Sequence, residues 1–424
     1  MIKKIEGGIL AAKGYSVASM RVGIKPTGDN RDLTLIKSDV SADVVGTFTR
    51  NKVKAAPVRW DMEVVGRGKA DAIVINTGIA NAATGTQGYE NCRLEAEAVA
   101  SALNVNPDRV LTASTGVIGP QIPVEKIISG INELSGKMIG IPYKKEDLEG
   151  GWNEAIKANA VVEAFEAAKA IMTTDTVPKE IALEFEAGGK TCHIGAMCKG
   201  SGMIHPNMGT MLGFILSDIA IDRSLADRML KDVVEKTFNM VSVDGDTSTN
   251  DTVVWLSNGL AENDIVTEDN EEVYEALYTV CEYLAKNIAS DGEGATRLFT
   301  AKVVGAPDYE TARILAKSII TSNLSKAAIY GRDANCGRIF CAMGYSGADF
   351  DPDKTDITMM SSEGSIKLID QGTLPEFSEE KALRILSPDE ITALCDIHAG
   401  EFEATAWGCD LTHEYVTINA DYRS

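Results

Sequence analysis

The chain has 424 residues, of which 44% are hydrophobic and 24% charged, a balance that is ordinary for a globular protein. Its length predicts two or three packing units, because a single core stops growing near about 250–300 residues. The formal net charge of −21 argues against general nucleic-acid binding, which needs clustered lysine and arginine. An acidic chain can still hold a locally basic pocket for a small substrate.

Cysteine, histidine and apolar patterns indicate the environment of the protein. Eight cysteines are scattered without a C-x-x-C pair, and four histidines form no cluster with metal-ligand spacing. The sequence has no signal-peptide core, and no apolar run approaches the roughly 18 residues of a membrane span. We therefore expect no metal site, no disulfide framework and a cytoplasmic location.

Short apolar runs alternate with helical patterns in the first half of the chain. Uninterrupted apolar runs predict buried strands, and apolar residues at helical spacing predict amphipathic helices. The predicted elements are a strand at 71–76, a helix at 90–103, a strand at 109–114, helices at 122–134 and 155–170, and a hairpin within 182–197.

The alternation continues in the second half, so the whole chain is predicted to be mixed α/β. A strand begins at 211, a helix covers 222–238, a strand covers 252–257 and a helix covers 270–289. From about residue 355 the chain breaks into short strand-like runs, which predict a smaller, strand-rich final unit.

The Gly209-Thr210 bond follows a turn containing proline, asparagine and glycine, and it directly precedes a strand-like run. In this setting a threonine hydroxyl can attack the carbonyl before it and cut the chain. The new amino terminus then carries both a nucleophilic hydroxyl and an α-amine that can act as its base. The alternative is an ordinary loop-to-strand junction, because short motifs have low specificity.

Four further residues are candidates for chemistry. Thr115 and Gly116 end a predicted strand, where a hydroxyl and a backbone N–H can stabilise an oxyanion. Lys199 can hold a substrate carboxylate, and Glu293 lies between glycines that let backbone approach a ligand. The alternatives are a glycine turn, a solvated lysine and a solvated carboxylate.

Two further polar segments are interpreted as structural. VDGDTSTNDTV, residues 243–253, lacks the spacing of a calcium loop and is predicted to support the site. In YGRDANCGRIF, residues 330–340, we expect an internal ion pair formed by Arg332, Asp333 and Arg338. The chain has no P-loop, no dinucleotide-binding fingerprint and no Gly-x-Ser-x-Gly elbow.

Together the motifs resemble the ornithine acetyltransferase family, the glutamate N-acetyltransferases of the cyclic arginine pathway. Each motif is weak alone, but their order along nearly the whole chain is specific. They are KGYSVASMRVGIK (13–25), SDVSADVVGTFTRNKVKAAPV (38–58), NTGIANAATG (76–85), STGVIG (114–119), IMTTDTVPK (171–179), KGSGMIHPNMGTML (199–212), VDGDTSTNDTV, GEGATRLF (292–299), YGRDANCGRI and NADYRS (419–424).

The resemblance implies an α/β fold of layered helices and mixed β-sheets, of the ornithine acetyltransferase / DmpA-like type, with a smaller α+β C-terminal unit. Self-cleavage would give an α chain, 1–209, and a β chain, 210–424. Within the β chain, about 210–285 would complete the main core and about 286–424 would form the smaller unit. The cleaved chains are expected to stay together as a heterotetramer or larger assembly.

The implied reaction is acetyl transfer from N2-acetyl-L-ornithine to L-glutamate, with small-molecule substrates and no nucleic-acid or membrane partner. Thr210 would be the nucleophile and, through its α-amine, the base, while Thr115 and Gly116 would form the oxyanion hole. No cofactor is expected, and acetyl-CoA is a candidate second donor. The implied substrate-binding residues are Thr173, Lys199, Thr210, Glu293, Asn419 and Ser424.

Four positions depart from the family pattern. Gly209 precedes the nucleophile where the family usually has alanine, and cleavage remains sterically reasonable. Ser424 replaces a terminal threonine and keeps the hydroxyl. His205 adds a titratable ring before the cleavage turn, and Ile79 replaces an expected asparagine, so the acyl acceptor stays open.

Two other function classes fit the same residues. An N-terminal-nucleophile amidase or aminopeptidase would resolve the acyl-enzyme with water. A non-catalytic binding protein would keep the fold without cleaving the Gly209-Thr210 bond. Comparing glutamate with water as acceptor separates the first class from the transferase, and the state of that bond separates the second.

Overall fold

The computed structural model describes residues 2–25, 28–140, 154–205 and 211–421. The chain forms two compact units. The first comprises residues 1–200, 207–235 and 247–284, and the second comprises residues 201–206, 236–246 and 285–424.

The strands of the described residues belong to two sheets. The third strand is the longest of them and extends over sixteen residues. The strands are β1 (Lys3–Ile5), β2 (Tyr15–Met20), β3 (Leu33–Phe48), β4 (Lys69–Ile79), β5 (Val110–Val117), β6 (Ile139–Gly140), β7 (Lys179–Ala187), β8 (Lys190–Lys199), β9 (Leu212–Ser217), β10 (Val241–Ser242), β11 (Thr252–Ser257), β12 (Leu298–Ala306), β13 (Asp356–Ser361), β14 (Gly364–Ile369), β15 (Glu390–Asp396) and β16 (Phe402–Cys409).

Helices lie between groups of these strands along the chain. Within the described part of the chain, no helix is long and apolar enough to cross a membrane. The helices are α1 (Ala56–Arg67), α2 (Gly85–Leu103), α3 (Val124–Ser135), α4 (Glu154–Ala170), α5 (Arg223–Lys236), α6 (Glu271–Ser290), α7 (Tyr309–Thr321), α8 (Asn323–Gly331), α9 (Cys336–Gly344), α10 (Glu379–Ile385) and α11 (His413–Ala420).

The first unit is built on a ten-stranded mixed sheet. Its main path is β1-β7-β8-β9-β11-β3-β2-β6, and β4 joins β3 to β5. β9 is parallel to β11, and β4 is parallel to β5, whereas β3 pairs antiparallel with both β4 and β11. Every residue of β9 and β11 is buried, which explains their uninterrupted apolar sequences.

The second unit has a six-stranded mixed sheet in the order β10-β16-β12-β15-β13-β14. Helix α7 packs on β12 and β16, with Leu315 and Ile319 among its buried residues. The strand-rich character predicted from about residue 355 is confirmed by β13 to β16. The predicted α/β class, with layered helices, mixed sheets and a smaller α+β C-terminal unit, is also confirmed.

Candidate active site

Thr210 and two of its expected partners fall outside the described residues. Gly209 and Thr210 lie in the segment 206–210, and Ser424 lies in 422–424. Their roles stay predictions, and so does the division into two chains at residue 210.

The Thr115-Gly116 turn is formed by the ends of two parallel strands of the first unit. Thr115 stands opposite Thr77, and Gly116 stands opposite Gly78. Gly116 has a φ of +131°, and a β-carbon there would lie 2.3 Å from the Gly78 carbonyl carbon. Only glycine fits this approach. A fixed backbone and a threonine that is largely buried suit the stabilisation of an oxyanion.

Asn250 supports this strand end from the segment before β11. Its side-chain amide donates to the carbonyl oxygens of Ala80, at 2.6 Å, and Ser114, at 2.8 Å. The Thr249 hydroxyl donates to the Asn250 side-chain oxygen at 2.6 Å, which fixes the orientation of the amide. Asn250 therefore positions the residue that precedes Thr115.

Lys199 ends β8 beside the start of β9. It stands opposite Leu212 in the antiparallel pairing of the two strands. The Met211 carbonyl, one residue after Thr210, accepts a 3.0 Å hydrogen bond from the Thr252 N–H. Lys199 is only 7% exposed. The strand that follows the expected cleavage bond thus starts between the end of β8 and the start of β11.

Asp175 brings Thr173 to the end of β8. Its carboxylate accepts hydrogen bonds from the Thr173 N–H at 3.2 Å and the Gly200 N–H at 2.7 Å, and it pairs with Lys179 Nζ at 2.7 Å. Burial raises the pKa of Asp175, but Lys199, Lys179 and the Gly200 N–H together lower it by more, so the pKa lies below its ordinary value. One ionised carboxylate therefore organises two of the predicted substrate-binding residues.

Thr77 and Lys25 hold the last residue of α4 and the chain just after it. The Thr77 hydroxyl donates to the Ala170 carbonyl at 3.0 Å, and Lys25 Nζ donates to the Met172 carbonyl at 3.0 Å. Burial lowers the pKa of Lys25. Because Thr77 also pairs with Thr115, the same strand end holds both candidate segments. Lys25 was not identified from the sequence, where no local signal marks it.

Asp251 is a buried acid that was predicted from the sequence only as part of the polar segment 243–253. It is 1% exposed, and its Oδ2 has no hydrogen-bond partner among the described residues. Burial raises the pKa of Asp251 well above its ordinary value, although Ser248, Thr49, Lys199 and the Met211 N–H oppose this. A buried carboxyl group therefore lies beside Met211, the residue just before β9.

Glu293 and Asn419 are brought together in the second unit. Asn419 Nδ2 donates to Glu293 Oε2 at 2.8 Å, and the Glu293 N–H donates to the Ser201 carbonyl at 3.2 Å. Glu293 is buried. A β-carbon on Gly202 would lie 2.2 Å from its carboxyl group, so glycine leaves the space that this carboxylate occupies.

Asp244 organises the second unit near Glu293. Its carboxylate accepts hydrogen bonds from the Met203 N–H at 2.7 Å and the Ile204 N–H at 2.9 Å. Burial raises the pKa of Asp244 despite these donors. Asp244 belongs to the second unit and Asp251 to the first, so two acids of one sequence motif lie in different units.

His205 and Ile79, two of the departures from the family pattern, each have a polar neighbour among the described residues. His205 Nδ1 lies 3.0 Å from Ser242 Oγ. Burial, together with the charge of Lys317, lowers the pKa of His205 to about 4, so the ring is neutral near pH 7. The Ile79 carbonyl accepts a 3.0 Å hydrogen bond from the Asn76 side chain.

The described candidates fall into two groups. The first unit brings together Thr115, Gly116, Thr173 and Lys199, and the second brings together Glu293 and Asn419. Among the described residues, no group of three or more histidines, cysteines or acids could hold a metal ion.

Comparisons with known proteins match the chain along its length. A model of the ArgJ family matches residues 16–424. The chain is 45% identical over 423 residues to the arginine biosynthesis bifunctional protein ArgJ of Caldanaerobacter subterraneus subsp. tengcongensis, covering 99% of each. It is 46% identical over 416 residues to ArgJ 1 of Clostridium acetobutylicum, covering 97% of this chain and 96% of that protein.

The chain is also similar in sequence to proteins of solved structure. The ArgJ structure from Bacillus halodurans is 45% identical with a TM-score of 0.48, covering 50% of this chain and 99% of that one. A structure of ornithine acetyltransferase complexed with ornithine, from Mycobacterium tuberculosis, is 35% identical with a TM-score of 0.41, covering 49% of this chain and 99% of that one.

Proposed function

Because the chain belongs to the ArgJ family, we propose that it is an acetyltransferase of arginine biosynthesis that moves an acetyl group from N2-acetyl-L-ornithine to L-glutamate in the cytoplasm. One observation carries the proposal. The strand that follows Thr210 starts opposite the buried Lys199, in the same sheet as the Thr115-Gly116 turn. This arrangement supports a site in which the nucleophile, a cation that binds the substrate carboxylate and the oxyanion donors belong to one unit.

Maturation begins with attack of Thr210 Oγ on the Gly209 carbonyl carbon. The peptide C–N bond breaks as the ester forms, and water then hydrolyses the ester. The products are an α chain, 1–209, and a β chain, 210–424. The released α-amine has an unperturbed pKa of about 7.7–8.0, which suits a general base near neutral pH.

Turnover follows a ping-pong path. Thr210 Oγ attacks the acetyl carbonyl of acetylornithine, and the α-amine takes the hydroxyl proton. Donors at Thr115 and Gly116 stabilise the oxyanion, and ornithine leaves with the proton returned to its amine. Glutamate then enters, and its amine takes the acetyl group from the threonyl ester.

Two substrates share this site, so their common groups define the contacts. Lys199 binds the α-carboxylate that acetylornithine and glutamate both carry. Glu293, or the terminal carboxylate of Ser424, binds the side-chain ammonium of ornithine. Thr173 and Asn419 complete the substrate-binding set. The Thr173 N–H is hydrogen-bonded to Asp175, and the Asn419 side chain is hydrogen-bonded to Glu293.

The division of the cleaved chain is part of the proposal. Residues of about 210–285 complete the main α/β core, and about 286–424 form the smaller unit. The α and β chains stay associated as a heterotetramer or larger assembly. Acetyl-CoA is a second candidate donor, which would make the protein bifunctional.

One assay tests the reaction and separates it from hydrolysis. Acetylornithine and acetyl-CoA are supplied in parallel, each with and without glutamate, and ornithine, free thiol, acetate and acetylglutamate are quantified. The proposal expects glutamate-dependent release of ornithine and equal formation of acetylglutamate, with Thr210→Ala inactive. Release of acetate at the same rate without glutamate would identify an amidase instead.

A further inference from the structure

A basic pocket of about 260 Å³ lies in the first unit, apart from the candidates described above. One side is lined by Lys52, Lys54 and Arg59, from the segment before α1 and its first turns. The other side is lined by the loop before α2, including Thr84 and Gly85. The volume suits a small anion such as a phosphate or diphosphate group.

The charge of this pocket contrasts with that of the chain. Three of its lining side chains are cationic and none is acidic, whereas the whole chain carries a formal charge of −21. Within the described part of the chain, Lys52, Lys54 and Arg59 form no ion pair; Lys54 donates instead to the Asn51 carbonyl at 2.9 Å. Unpaired cations gathered around a concave surface attract a multiply charged anion.

The backbone adds to this character. The Thr84 hydroxyl donates to Asn81 Oδ1 at 2.9 Å, so it does not cap α2, and the first turn of α2 contains no acid. The start of this helix therefore keeps the partial positive charge of its macrodipole. At Gly85 nothing lies within 4 Å of where a β-carbon would be, so the backbone there is open to a ligand.

The pocket wall is bonded to the chain that follows the Thr115-Gly116 turn. The Ala80 N–H donates to the Val117 carbonyl at 2.9 Å, and the Gly119 N–H donates to the Ala82 carbonyl at 3.0 Å. Gln121 Nε2 also donates to the Thr84 carbonyl at 3.0 Å. A phosphate held in the pocket would therefore sit on the same hydrogen-bonded loop system as the candidate oxyanion donors.

We infer that this pocket binds the phosphate groups of a phosphate-bearing ligand, with the phosphates of acetyl-CoA as the occupant during donor binding. The inference rests on the proposed function, in which acetyl-CoA is a second donor. Acetylornithine and glutamate carry no phosphate group that this pocket could bind. In the step it serves, Thr210 Oγ forms a bond to the acetyl carbon and the thioester C–S bond breaks. The hydroxyl proton passes through the α-amine to the departing thiolate.

The test compares a pocket variant with a matched surface variant. Lys52→Gln, Lys54→Gln and Arg59→Gln are combined in one protein. The control combines Lys137→Gln, Lys231→Gln and Lys354→Gln, which remove the same charge from exposed positions elsewhere. Calorimetry at constant ionic strength measures the binding of coenzyme A, pantetheine, inorganic phosphate and diphosphate, because surface charge effects depend on salt.

We expect the pocket variant to bind coenzyme A about 10- to 100-fold more weakly than the wild type, as loss of charge-assisted contacts predicts. The control should keep wild-type binding, and pantetheine should not bind to either. Acetyl-CoA-dependent transfer should fall in parallel, while acetylornithine-dependent transfer stays unchanged and confirms folding. Phosphate or diphosphate bound with the same sensitivity, but without coenzyme A binding, supports the phosphate pocket and rejects the acyl donor as its occupant.

Other outcomes overturn the inference. These are equal effects in the pocket and control variants, or no binding of any phosphate compound to the wild type. Failure of the proposed function is distinguishable, because it would abolish glutamate-dependent transfer from acetylornithine without changing the binding measurements.

Discussion

Asn419 donates its side-chain amide to the Glu293 carboxylate at 2.8 Å. The pair joins two motifs that are separated by 126 positions along the chain. The bond uses one lone pair of one oxygen and orients the carboxylate, leaving its remaining acceptor sites for another donor. A buried carboxylate with spare acceptor sites suits a ligand ammonium group.

Glu293→Gln is expected to lower kcat/KM for acetylornithine about 10- to 100-fold, because a hydrogen bond to a charged group contributes about 1.5–3 kcal/mol. Steady-state kinetics of ornithine release measure this. Glu414→Gln removes an exposed acid on α11 and should behave as the wild type. An unchanged kcat/KM in Glu293→Gln would remove this residue from the ammonium site.

Thr115→Ala is expected to reduce kcat by on the order of 10²–10³, the usual loss for one oxyanion donor. Thr115→Ser keeps the hydroxyl and should retain most of the activity. Both variants should keep the wild-type melting temperature within a few degrees, which separates catalysis from stability. Wild-type turnover in Thr115→Ala would contradict the oxyanion assignment.

Gly116→Ala tests the close approach of β4 and β5. The substitution strains a φ of +131° and places a β-carbon 2.3 Å from the Gly78 carbonyl carbon. Gly119→Ala has comparable strain at φ +110° but open space, and should cost about 1–3 kcal/mol. Thermal unfolding should therefore show a larger loss for Gly116→Ala. Equal losses would mean that the strand ends can separate freely.

Glu95 is expected to make the stability of the folded protein depend on pH. Burial raises the pKa of Glu95 to about 8, so the folded chain keeps a proton that the unfolded chain loses above about pH 4.3. The free energy of unfolding should thus fall as pH rises from about 4.3 to 8, by up to about 1.4 kcal/mol per pH unit.

Urea unfolding at several pH values measures this slope. Glu95→Gln should flatten it, although Asp61, whose pKa burial also raises, retains part of it. Glu97→Gln changes an exposed acid of the same helix and should leave the slope as it is. The same slope in Glu95→Gln and the wild type would assign it to other groups.

Several elements were predictable because local sequence decides them. The helix predicted at 222–238 is α5, Arg223–Lys236, and the strand predicted at 252–257 is β11, Thr252–Ser257. The predicted hairpin is β7 with β8. β3 was not predicted, because polar residues and an irregularity between Lys37 and Ala42 interrupt its pattern.

The sequence could not predict the surroundings of a side chain where residues close together in the chain differ in burial or in bonding partner. The expected internal ion pair is wrong: Arg332 and Asp333 are exposed, and Arg338 donates to the Leu324 carbonyl at 3.1 Å. Asp251 looked equivalent to other acids of its loop, and only its burial distinguishes it. The order of the motifs therefore indicated the site candidates. Which side chains are buried, and which partners they bond to, could be read only from the fold.

Cleavage at Gly209-Thr210 is the central claim, and denaturing mass spectrometry of the purified protein tests it most directly. The account predicts two chains, 1–209 and 210–424, and a single inactive full-length chain for Thr210→Ala. Thr210→Ser, which keeps a hydroxyl nucleophile, should still be cut. A wild-type protein that remains one intact chain of 424 residues while fully active in acetyl transfer would contradict the account.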